Sequence, residues 1–201
     1  GIRLDKITWV QAGVSTPGRK EKVALNLPDG VSLTPVADKS LEEMLLSGEI
    51  DAIMSAHPPE IFENGGPEII RLVGDYQAME EAYFQETGIF PIMHTMAVKT
   101  DVSNAHPWML GNLLKAFNAA KNNSVARAHE MTASRFPIPW APYFAEQSAA
   151  MFGDDYWPYG IDDNRVTLDA FLQYSFEQGV CQRRLQVEDL FPKNVLSSFK
   201  V

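Results

Sequence analysis

The feature that most constrains this chain is its lopsidedness: the segments that read as strands fall in the first hundred residues, and the second hundred read as helix. Ile7-Thr8-Trp9-Val10-Gln11 is short, β-branched and aromatic and runs into Ala12-Gly13, the pattern of a strand ending in a loop. Residues 13–40 carry Pro17, Gly18, Pro28, Gly30 and Pro35 and read as loop, with a helical turn around Arg19 to Leu27. Ser40 and Glu43 have the spacing of a capping box ahead of a helix over 41–46, and Gly48 supplies its stop. Ile50-Asp51-Ala52-Ile53-Met54 then reads as a second strand, entered after one turn as in a parallel α/β sheet.

Further on, 69–73 reads as a minor strand. Asp75 is placed to cap a helix through Tyr76, Met79, Ala82 and Tyr83 that stops at Gly88, and 91–99 reads as a strand. From Asp101 the pattern is helical, with Pro107 at a first helical position before Trp108, Leu110, Leu113, Leu114 and Phe117. Leu168, Phe171, Leu172 and Ser175 keep helical spacing as far as Gly179. The fold class is therefore α/β, divided at about residue 100. A parallel sheet needs helices on both faces and usually more strands than these, so the pattern is that of part of a larger fold.

Composition narrows the function classes. With 201 residues, 45% of them hydrophobic, the chain can build a substantial core. A formal charge of -9 with scattered Lys and Arg argues against a nucleic-acid partner, which requires clustered cations. It leaves room for a small anion gripped by a few local cations or helix N-termini. No apolar run approaches membrane-spanning length, so membrane insertion is not expected. Cys181 is alone, which excludes an internal disulfide and a Cys-based zinc site, and a cytoplasmic location is expected, with a periplasmic one as the alternative. A homo-oligomer is left open.

One stretch is more specific than composition. Thr87-Gly88-Ile89-Phe90-Pro91-Ile92-Met93-His94, preceded by Glu81, Ala82 and Tyr83, resembles a segment of the 4,5-dihydroxyphthalate decarboxylase family. Similar stretches are Pro17-Gly18-Arg19 with Glu21-Lys22, Ser47-Gly48-Glu49-Ile50-Asp51-Ala52 and Leu113-Leu114-Lys115-Ala116-Phe117. Trp157-Pro158-Tyr159-Gly160, Asn164-Arg165, Glu177-Gln178-Gly179 and Glu188-Asp189-Leu190-Phe191 continue in the family's order. The resemblance implies a bacterial, two-lobed, type II periplasmic-binding-protein-like fold with a mixed sheet. Residues 1–100 would then belong to the second lobe and the interlobe crossing, and 101–201 would be a helical region returning to the first lobe. On this expectation the chain is a C-terminal fragment.

The implied activity is non-oxidative decarboxylation of 4,5-dihydroxyphthalate or a similar aromatic acid to a protocatechuate-type product and CO2. The alternatives are a non-catalytic solute-binding protein of an ABC transporter, for a small anionic or aromatic ligand, and a thiamine-precursor enzyme of related fold. Decarboxylation protonates the ring carbon that bears the carboxylate, so it needs a general acid, a carboxylate clamp and a dry site, but no cofactor. The four His show no H-x-H or H-E-x-x-H spacing, and no metal is expected.

Arg19 is the candidate clamp, since a guanidinium grips a carboxylate through two parallel hydrogen bonds; the bland reading is a surface Arg paired with Glu21. His57 lies just past the strand expected at 50–54, where open α/β sheets bind ligands, and is a candidate proton donor; otherwise it only shapes a turn beside Pro58-Pro59. Ser55 could donate a hydrogen bond to ligand oxygen. His94, on the strand expected at 91–99, is the second candidate acid; its alternative is a core His bonded to a carbonyl. Thr87 and Gly88 are expected to line the crossing between lobes, although a helix C-cap would equally account for Gly88. His106 and His129 read as exposed helix residues without a role, and the Trp157–Gly160 stretch as an aromatic wall or plain packing.

Overall fold

A computed structural model describes residues 2–19 and 24–196. Glu21, Lys22 and most of the helical turn expected around Arg19 to Leu27 lie outside the described residues. What is described is an α/β arrangement of helices with a small two-stranded parallel sheet. The chain divides into two compact units: residues 1–87 with 173–184, and residues 88–172 with 185–201.

In the first unit, β1 (Trp9–Gly13) pairs in parallel with β2 (Leu33–Ser40), Trp9 opposite Leu33 and Gln11 opposite Pro35, with a register shift before Gly13 meets Ser40. β2 occupies a stretch that reads as loop because of Pro35. Proline cannot donate to a ladder, but an edge strand tolerates it. Ser40 then serves twice, as the last residue of β2 and the N-cap of α1 (Leu41–Ser47). The expected capping box is formed: Ser40 Oγ accepts from the Glu43 amide at 3.2 Å, and the Ser40 amide donates to Glu43 Oε2 at 2.7 Å. Met44 is buried beneath it.

Gly48 ends α1 as expected, but the strand expected at 50–54 does not form. The amides of Glu49 and Ile50 both turn back to the Met44 carbonyl, Met54 is 82% exposed, and no described strand runs alongside. A strand without a partner cannot satisfy its backbone. The same reason removes the strands expected at 69–73 and 91–99, which are irregular and mostly exposed. After α2 (Glu60–Glu63), α3 (Tyr76–Thr87) begins with Asp75 Oδ1 accepting from the Ala78 amide at 3.2 Å and stops before Gly88, as expected.

The first unit is completed by 173–184. There the Asn26 amide donates to the Gly179 carbonyl at 2.8 Å, and Gly179 sits at φ +76° with room for no side chain: a Cβ would lie 1.8 Å from the Asn26 carbonyl oxygen.

The second unit is helical: α4 (Thr100–Ala105), α5 (Trp108–Ala128), α6 (Ala141–Phe152), α7 (Arg165–Glu177, of which the residues up to Leu172 belong here) and α8 (Val187–Leu190). Pro107 stands one position earlier than expected, as the N-cap of α5. Ile161, Leu168, Leu172 and Val187 form the core, with Leu185, Phe191 and Leu196 packed against it. Apolar burial of this kind contributes about 1.5–3 kcal/mol for each large side chain. His129, expected to be exposed, is half-buried with its ring 5.9 Å from that of Tyr156, whose hydroxyl is pushed above its ordinary pKa by burial. Among the described residues no helix is long and apolar enough to cross a membrane.

One polar contact fixes the loop after α6. The Lys121 side chain is only 4% exposed; its Nζ donates to Asp155 Oδ1 at 2.6 Å and lies 5.6 Å from the centre of the Tyr159 ring. Removing the partner of a buried charge costs more than removing both charges. Asp155→Ala should therefore destabilise the protein by about 2–3 kcal/mol, the half-exposed aspartate keeping the loss near the low end of the usual range. Lys121→Met should cost clearly less. Urea unfolding of the two variants checks this, and equal losses would mean that water already solvates the ammonium. Gly179→Ala should lose about 1–2 kcal/mol from the left-handed backbone alone, and more from the Asn26 clash, in the same measurement.

Candidate functional site

Parallel strands present ligand-binding groups at their carboxyl ends. In this chain Arg19 lies in the segment that leaves the end of β1, six residues past Gly13, whereas His57 loses that argument with the strand expected at 50–54. Gly13 makes the turn into the loop possible: a Cβ there would lie 1.8 Å from the Thr16 carbonyl oxygen and 3.6 Å from Arg19 Cβ. Arg19 is exposed and makes no ion pair with a described residue. The surface pairing with Glu21 falls outside the described residues.

The loop is tied down by a network absent from the sequence reading. Glu42, in the first turn of α1, donates its amide to the Val14 carbonyl at 2.9 Å. Its carboxylate Oε2 accepts from Ser15 Oγ at 3.1 Å and from the Ile61 amide at 3.1 Å, and Ser15 Oγ accepts in turn from the Glu60 amide at 3.0 Å. The start of α2 is thereby stapled to the loop after β1. His57 lies three residues ahead of Glu60 in the sequence, and Arg19 four residues after Ser15. Ser55 Oγ donates to the His57 carbonyl, which shapes the turn and engages the hydroxyl proton that a ligand would otherwise receive. Ser55 and His57 are both exposed, and no hydrogen bond joins their side chains to Arg19. Ser15 and Glu42 are 27 residues apart, and the adjoining capping box announces only that a helix starts at α1.

Thr87 closes the first unit and Gly88 opens the second. Thr87 Oγ1 donates to the Tyr83 carbonyl at 2.7 Å, and Gly88 adopts the left-handed backbone, φ +67°, that ends α3. The segment that follows is anchored at Phe90: its amide donates to Thr167 Oγ1 at 3.3 Å, and its ring meets Phe152 and Trp157 edge-on, with centroids 5.2 and 6.0 Å away. The expected aromatic role of Trp157 is thus partly that of packing. His94 lies four residues beyond this anchor, exposed on an irregular segment, and is not the core histidine that the sequence allowed. Among the described residues no cluster of His, Cys, Asp or Glu could hold a metal ion.

No family model matches the chain. It is, however, 33% identical to the 4,5-dihydroxyphthalate decarboxylase of Comamonas testosteroni over 202 aligned residues, which cover the whole chain and 61% of that protein. The chain is a relative of the 4,5-dihydroxyphthalate decarboxylases. The protein of that name from Pseudomonas putida is also 33% identical, over 86 residues that cover 42% of this chain and 33% of its own length. The chain thus spans about three fifths of the longer-matching decarboxylase.

If the Glu42 carboxylate holds both loops, Glu42→Ala should loosen them together. Amide exchange at Ile61, and at Glu60 through the released Ser15, should accelerate roughly tenfold for each 1.4 kcal/mol lost, while exchange in α5 stays unchanged. Unaltered exchange at Ile61 would remove the network from the account.

Proposed function

We propose that the protein is an aromatic carboxy-lyase that decarboxylates 4,5-dihydroxyphthalate or a closely similar aromatic acid. The observation that carries this reading is the 33% identity to the Comamonas testosteroni decarboxylase along the entire chain. The two-lobed scaffold implied by the sequence resemblance belongs to the same proposal.

In this reading Arg19 grips a substrate carboxylate through paired N–H donors. A proton is delivered to the ring carbon bearing the departing carboxylate, and the C–C bond then breaks, its electron pair returning to the ring as CO2 leaves. The hydroxyl para to that carbon stabilises the cationic intermediate by donating electron density. His57 or His94 supplies the proton, since an imidazole can pass a proton to the ring carbon and be reloaded from water between turnovers. Thr87 and Gly88 position the segment that carries His94, and Ser55 can hold ligand oxygen only after releasing the His57 carbonyl. No step calls for a cofactor. The solute-receptor reading draws no support from the names of the relatives.

The full-length protein incubated with 4,5-dihydroxyphthalate should release one CO2 and form protocatechuate. Arg19→Ala should raise KM by roughly tenfold to a hundredfold, as expected when a charged hydrogen-bonded clamp worth about 1.5–3 kcal/mol is lost. Substitution of the acid, His57→Ala or His94→Ala, should lower kcat by about a hundredfold or more. Tight binding of the diacid without CO2 release would favour the receptor instead, and full turnover in both His variants would remove histidine as the proton source.

A further inference from the structure

We draw no further inference here: the strongest candidate, the exposed aromatic face that Trp140, Tyr143 and Phe144 form at the start of α6, is an unpartnered apolar surface, and nothing in the structure shows what covers it.

Discussion

The Glu42 carboxylate is the interaction on which the arrangement of the first unit turns. It sits where three pieces of chain must agree: the loop leaving β1, the first turn of α1 and the start of α2. A single carboxylate oxygen accepts from both Ser15 and Ile61, so the two loops cannot shift independently without leaving a donor unsatisfied. Because the capping box sets the first turn of α1, the network is built on a fixed platform rather than on a second loop. Arg19 and His57 inherit whatever order that platform confers.

What was legible in the sequence was local. The Ser40–Glu43 box, the Asp75 cap and the Gly48 and Gly88 stops each depend on residues within one turn of one another, and each forms where expected. Strands were legible only in part, because a strand is a relation between two segments and periodicity describes one. Ile50–Met54 and Pro91–Lys99 carry strand-like side chains without a partner, whereas β2 has a partner and carries Pro35 and Lys39, which disguise it. The Ser15–Glu42 bond and the Phe90–Thr167 bond span 27 and 77 residues, and no short-range pattern announces either.

The candidate residues divide along the same line. Gly88 was legible as a helix end and is one. Arg19 is a candidate for its guanidinium chemistry, and in the structure it lies in the segment that follows a parallel strand. His57 moves the other way: its supposed strand is absent, and the nearest tie to the loop after β1 is the bond from the Glu60 amide, three residues on, to Ser15. His94 retains its place in a family-like stretch, held by the Phe90 anchor rather than by a strand ladder.

Electrostatics limit where an acidic chain could receive an anion. Helix N-termini attract anions through unbonded amides, but amides at the starts of α1 and α2 are already in use. At α1 the amides of Glu42 and Glu43 donate to the Val14 carbonyl and to Ser40 Oγ, and at α2 those of Glu60 and Ile61 donate to Ser15 and Glu42. The Glu42 carboxylate at the start of α2 also repels a second anion. Several cations are similarly engaged, Arg3 by Asp5, Lys39 by Glu49, and Arg71 by the rings of Phe62 and Tyr76. At the starts of α1 and α2 these amides are therefore not free to receive an anion, and among the described residues of the loop after β1 the side-chain cation is Arg19.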